Sequence, residues 1–173
     1  MPDFAPFDPD ATGSGAPVRA LIREATHDDL DSLAAIRLAV VTRTREDWAT
    51  VIDKALDDDR LLLVAEIDGE IGAFAQSHYL EEHPVDHGPA GFYLTGVTVI
   101  PAHRRTGLGR TLTAARLDWI GQRADTAWFF ASADNAASIR LHEEFGFGEV
   151  CRGPVIHGVT FDSGEGILFR TGR

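Results

Sequence analysis

The most specific chemistry in this chain is carried by Arg104-Arg105-Thr106-Gly107-Leu108-Gly109. Two arginines and two glycines in one short loop suit an anion, because residues without a Cβ let it approach main-chain N–H groups closely. Upstream, Gly91 to Ile100 is rich in β-branched and aromatic residues and predicts a buried strand, which Pro101 ends. Downstream, Leu108, Leu112, Ala115 and Trp119 are spaced four, three and four, one face of an amphipathic helix. Strand, basic glycine loop and helix in that order aim free N–H groups and the positive end of a helix dipole at one point, which suits a phosphate. The P-loop pattern is not matched, and the dinucleotide fingerprint meets Leu112 where its third glycine belongs. On the six residues alone, an ordinary tight βα connection fits as well.

Two further groups of residues could do chemistry. The run Asn135-Ala-Ala-Ser138-Ile-Arg-Leu-His142 continues to Gly146-Phe147. Asn135 is a natural N-cap and Gly146 a natural C′ residue, so each has a purely structural explanation. The second group is the polar stretch Leu80 to Ala90, with Glu81, Glu82, His83, Asp86 and His87. Pro84 keeps it from being a helix, so its histidines need not share a face, and no fourth metal ligand is apparent; no metal is expected. Cys151 lacks an identifiable histidine–acid pair for nucleophilic work, and no G-x-S-x-G elbow occurs.

The elements that must position these residues follow from periodicity and punctuation. Residues 1–17 hold prolines and a Gly-Ser-Gly run and predict a loose tail ahead of a single domain, residues 18–173. Val18–Glu24 predicts a first strand. Thr26 with Asp29 starts a helix whose apolar positions are Leu30, Leu33, Ile36 and Val40. Thr44 caps a second helix, from Arg45 to Leu56, with Trp48, Val51 and Ile52 inward. Strands 60–67 and 70–79 flank Asp68-Gly69, a two-residue hairpin turn. After the central strand, loop and helix come a short strand 127–131, a helix from Asp134 to Glu144, and strands 148–151 and 166–170. A loop carrying Asp162-Ser163-Gly164 precedes the last strand.

Composition narrows the class. With 16 Lys and Arg against 27 Asp and Glu, the net charge of −11 argues against nucleic-acid binding, which wants a basic face. It is compatible with a cationic substrate such as an amine, and equally with plain solubility. The single cysteine excludes an internal disulfide and agrees with a reducing compartment. No apolar run approaches the ~20 residues of a membrane span. The N-terminus lacks the basic and apolar regions of a secretory signal, so a cytoplasmic location is expected.

The run R-x-x-G-x-G after Val97-Thr98-Val99-Ile100-Pro101 resembles motif A of the GNAT acetyltransferase superfamily. The run from Asn135 to Phe147 resembles its motif B, with His142 where the family usually has Tyr. His at this place is similar to the phosphinothricin acetyltransferase branch. The resemblance covers essentially Val18 to Arg170. It implies an α/β (α+β) acyl-CoA N-acyltransferase fold: a mixed, mostly antiparallel sheet of six to seven strands with about four helices. It implies acetyl-CoA as acetyl donor. The pyrophosphate would be held by Arg104, Arg105, Thr106, Gly107, Leu108, Gly109 and Arg110. Main-chain groups around Val97, Thr98 and Val99 would hold the pantetheine arm and acetyl carbonyl, with Asn135 and Ser138 also beside the cofactor. Gly96 is expected at a bulge in the central strand. His142 could protonate the leaving thiolate as an imidazolium, or only pack beside the cofactor. Tyr93 and Glu82 are candidates for the general base, alongside Glu81, His83, Asp86 and His87, and a water chain could take the proton instead.

The function implied is acetyl transfer to a primary amine, most simply of a small molecule. A protein N-terminus or lysine as acceptor, or a non-catalytic acyl-CoA-binding module, would carry the same motifs. A homodimer is expected if Phe161, Ile167, Leu168 and Phe169 form an apolar seam; the same residues would serve equally as core.

Overall fold

The structure, a computed structural model, describes residues 17–36, 43–57 and 59–172. A seven-stranded sheet forms its centre, in the order β1-β2-β3-β4-β5-β9-β6. The strands are β1 (Leu21–Glu24), β2 (Arg60–Ile67), β3 (Glu70–Leu80), β4 (Gly91–Val99), β5 (Thr126–Ser132), β6 (Gly148–Gly153) and β9 (Gly166–Gly172). A separate two-stranded hairpin, β7 (Val155–Ile156) and β8 (Val159–Thr160), sits between β6 and β9. Every neighbouring pair in the large sheet is antiparallel except β4 with β5.

Four α-helices cover the two faces: α1 (Leu30–Ala35), α2 (Arg45–Ala55), α3 (Leu108–Gly121) and α4 (Ala136–Glu143). The uninterrupted apolar run of β2 has its reason here, since both faces of that strand are covered. Leu62 and Val64 meet Leu33, Trp48 and Ile52 from α1 and α2. Leu61, Leu63 and Ala65 meet Leu108 and Leu112 of α3. The Trp48 ring stands edge-on to Phe74 at 4.9 Å. Burying side chains of this kind contributes ~1.5–3 kcal/mol each.

Local signals place most ends. Asp68 (φ 51°) and Gly69 (φ 85°) both adopt the left-handed region, as a two-residue hairpin turn requires. Thr44 Oγ1 accepts from the Asp47 N–H at 3.2 Å, and Asp47 returns the bond to the Thr44 N–H at 2.8 Å. Thr26 and Asp29 exchange similarly, but the chain first makes a 3-10 turn, His27–Asp29. Asp29 is held there by Arg23, whose guanidinium forks onto it at 2.7 Å, and its carboxyl stays below the usual range.

Several expectations are corrected. β1 starts at Leu21 rather than Val18. The first helix ends at Ala35, and Val40, like residues 1–16 of the expected tail, lies outside the described residues. The segment between β6 and β9 contains the β7–β8 hairpin instead of only a loop. Phe161, Ile167, Leu168 and Phe169 are core: Phe161 and Leu168 pack with Tyr93 and Phe130, and Ile167 and Phe169 with Phe129 and Phe147. They offer no seam for a second copy.

Candidate active site

Between β4 and α3 the chain makes a 3-10 turn, Pro101–His103, and then a tight loop. Arg105 (φ 60°) and Gly107 (φ 90°) both lie in the left-handed region on either side of Thr106. Thr106 is buried, and its hydroxyl donates to the His103 carbonyl at 2.6 Å, which pins the loop from inside. Such alternation turns successive N–H groups into one concavity. α3 opens on Gly107 with no side-chain cap, whereas α2 and α4 are capped by Thr44 and Asn135. Its first N–H groups therefore remain available beside the positive end of the dipole. A Cβ at Gly107 would project into open space on a backbone that disfavours side chains. The loop fits an anion. Gly109 differs: a Cβ there would meet Leu141 of α4 at an ordinary 3.6 Å, so packing does not require glycine at this position. Leu108 contributes only main chain here, since its side chain is core. The Arg110 side chain turns to Glu144 at 2.8 Å.

The second feature is a split in the sheet. β4 pairs with β5 only through Phe92–Ala127 and Tyr93–Trp128. On its other side β4 pairs with β3 along its length, but Leu94 faces Ser77 and Gly96 faces Gln76, so Thr95 is an extra residue. The bulge is at Thr95, one residue before the expected Gly96. Beyond it, β4 leans away from β5, and the main-chain groups of Val97, Thr98 and Val99 that turn from β3 have no strand opposite them. The gap opens beside the loop that precedes α3.

Arg116, on α3, lies beneath the bulge and is 1% exposed. Its Nη1 donates to the Gln76 carbonyl at 3.1 Å and the Gly96 carbonyl at 3.0 Å, the two residues paired across the bulge. On the opposite face, Thr95 Oγ1 lies 3.3 Å from His78 Nδ1. Burial, then the Arg60 charge, pushes His78 down to about 4, against a smaller upward pull from Asp59. Sequence reasoning passed over both residues. Arg116 lacks an apolar signal, and His78 sits in a polar stretch of a strand.

A family model of the acetyltransferase (GNAT) family matches residues 21–147. This chain belongs to the acetyltransferase (GNAT) family. It is 30% identical over 140 residues to a mycothiol acetyltransferase of Clavibacter sepedonicus, covering 76% of this chain and 43% of that protein. It spans 31% and 32% of the length of two further mycothiol acetyltransferases it matches. A ribosomal-protein-alanine N-acetyltransferase from Brucella melitensis superposes with TM-score 0.68 at 26% identity, over 88% of this chain and 99% of that one. A phosphinothricin acetyltransferase from Sinorhizobium meliloti, solved in complex with AcCoA, superposes with TM-score 0.68 over 88% of each chain. At 15% identity, that last likeness is one of fold alone.

The remaining GNAT motif residues lie in settings that change their expected roles. His142 is 2% exposed and stacks on Phe129 at 3.7 Å. Its Nδ1 donates to the Ser138 carbonyl at 2.8 Å, so Nε2 is an unprotonated acceptor, buried with no partner. Burial lowers its pKa to about 3, helped by the Arg116 charge and only partly opposed by the Ser138 bond. Burial therefore disfavours the imidazolium that a proton donor at this place would need. Asn135 Oδ1 accepts from the Ser138 N–H at 3.2 Å and so caps α4.

Tyr93 is fully buried, donates to the Pro89 carbonyl at 2.7 Å and stacks on Trp128. Burial drives its pKa further up, so it does not fit a general base. The Glu82 carboxylate lies on the outside of its loop, 3.1 Å from His87 Nδ1. That loop is built rather than loose. Asp86 accepts from the Gly88 N–H at 2.9 Å and from the Gly158 N–H of the β7–β8 turn at 2.7 Å. Burial pushes the Asp86 carboxyl up, but those two amides and then His83 and His157 outweigh it and leave it below the usual range. Among the described residues, no group of three His, Cys, Asp or Glu side chains is placed to hold a metal ion.

Proposed function

We propose that this chain moves the acetyl group of acetyl-CoA directly to a primary amine of a small molecule. The observation that carries this reading is the split between β4 and β5 at the Thr95 bulge, opening beside the uncapped start of α3. Family membership supports the donor, and the mycothiol acetyltransferases among its relatives support a small acceptor. The donor supplies an activated thioester. The main chain from Arg104 to Gly109 would hold its pyrophosphate, with Arg104 and Arg105 adding charge. The groups of Val97 to Val99 that turn away from β3 would bind the pantetheine arm and the thioester oxygen. Donors aimed at that oxygen stabilise the charge it gains.

In the transfer, the amine nitrogen bonds to the carbonyl carbon and the C–S bond breaks, its electron pair leaving on sulfur. The amine must first lose a proton, since an alkylammonium has a pKa near 10. His78 lies beside the bulge, but the burial that lowers it to about 4 also makes it a weak base, so water would carry that proton away.

The test is free-thiol release from acetyl-CoA over a panel of amino acid analogues, aminoglycosides, polyamines and an alanine-terminated peptide. Release with a small amine is expected. Release with the peptide alone would favour a protein acceptor, the reading that the Brucella melitensis enzyme supports. Tight binding of acetyl-CoA with no release anywhere on a broad panel would leave an acyl-CoA-binding module and sink the transfer.

A further inference from the structure

The buried guanidinium of Arg116 is the most costly group in the core, because a charge removed from water needs compensation. All the acceptors it finds are neutral. Nη1 bonds the Gln76 and Gly96 carbonyls, Nη2 donates to Thr113 Oγ1 at 3.0 Å, and Nε lies 3.4 Å from the Leu112 carbonyl. Among the described residues no carboxylate forms an ion pair with it, and burial alone lowers its pKa, to about 9. Its positive charge is hydrogen-bonded but not cancelled. A leucine on this face of α3 would fill the core without that cost.

The place of the charge gives it a use. It contacts the Gly96 carbonyl, the residue before Val97, where the thioester site begins. It also acts on His142, whose bare Nε2 is buried on the same side of the sheet. A departing thiolate therefore finds no acid in His142. It does find a fixed cation in a water-poor floor, where electrostatic stabilisation is strongest.

We propose that Arg116 is the cation of the transfer site: held under the β4 bulge, it stabilises the thiolate that coenzyme A becomes as the acetyl group leaves. This rests on the acetyl-CoA reading above. The same two carbonyl bonds make Arg116 a positioning residue for the bulge. The other ionisable groups around this floor add no second charge. His142 from α4 and, across the sheet, His78 of β3 and Tyr93 of β4 are neutral at pH 7. β5 carries no titratable residue, and β2 carries only Arg60 and Glu66 at its ends.

The experiment reads the thiol and needs no acceptor. Coenzyme A is bound to the full chain, binding is measured by calorimetry, and the thiolate absorbance band is followed against pH. In the wild type the bound thiol should ionise at least about one pH unit below the ~8.5 of a free thiol, a tenfold gain in thiolate. Arg116→Met should return it to the free value or above while coenzyme A still binds. Arg116→Lys should keep part of the shift, having the charge without the two-carbonyl bridge. Loss of packing alone would weaken binding without moving the ionisation. A wild-type bound thiol that titrates at or above the free value overturns the proposal, and does so even if Arg116→Met fails to fold. An unchanged low value in Arg116→Met overturns it as well. Failure of the wild type to bind coenzyme A at all would remove the donor reading itself, a result distinct from an unshifted thiol.

Discussion

The two halves of β4 share one strand and behave differently. At Phe92 and Tyr93, β4 is paired on both sides, and Tyr93 and Leu94 are fully packed. His157 from the β7–β8 hairpin closes over Tyr93, its Nε2 lying 2.8 Å from the phenol oxygen and 3.0 Å from the Pro89 carbonyl. After Thr95, β4 keeps β3 and loses β5, and every residue to Val99 is only half-buried. One half is a rigid support, and the other presents main-chain groups. The contrast shows that a sheet can create a binding cleft by inserting one residue, held here from below by Arg116.

The largest effect should come from removing the inserted residue. Deleting Thr95 keeps the Leu94–Ser77 and Gly96–Gln76 pairs in register but takes away the bend. We expect a folded protein with turnover lowered about 100-fold or more, the scale of an ångström-level misplacement. Wild-type turnover with the actual acceptor would show that the bulge is incidental. Next is Gly107→Val, which places a β-branched residue at φ 90° and a side chain in the anion's approach. Acetyl-CoA binding by calorimetry should weaken well over tenfold.

The packed floor beneath the open half predicts a pH response. A histidine whose native pKa is depressed costs stability when pH falls below its unfolded value. His142 and His78, with native values of about 3 and about 4, do so below pH ~6.5, where only the unfolded chain takes up the proton. Each should cost about 1.4 kcal/mol per pH unit from there down to its native pKa, with no change above pH 7. His142→Phe, which can keep the stack on Phe129, should reduce the acid slope of the melting temperature. It should also leave turnover rising with pH, without a falling limb from imidazole deprotonation.

The locked half gives smaller effects. Tyr93→Phe removes the bond to the Pro89 carbonyl and the His157 contact, and should cost about 1 kcal/mol of stability in chemical denaturation. Coenzyme A affinity should stay unchanged, and a parallel loss of binding would mean that the two halves are not independent. The smallest effect is expected for Gly109→Ala, whose Cβ meets only an ordinary contact at Leu141. Binding within about twofold of wild type would separate it from Gly107, although the two glycines look equivalent in the loop.

The sequence by itself determined the features that a short stretch decides alone. The strand, loop and helix around Gly107, the Asp68-Gly69 turn, the Thr44 cap and the Asn135 cap all follow from periodicity or from bonds spanning at most four residues. Those features were enough to identify motif A and the α/β architecture. Tertiary structure alone decided the rest, because it depends on partners far along the chain. The Thr95 bulge is defined only against β3. Arg116 reads as a surface residue until Gly96 and Gln76, 20 and 40 positions away, claim its guanidinium. His142 looked like an acid because a histidine's ordinary pKa suits one. What disfavours its charged form is burial against Phe129 of β5, then the Arg116 charge on α3. Charge state and strand bending are properties of surroundings, and the surroundings exist only once distant segments have packed together.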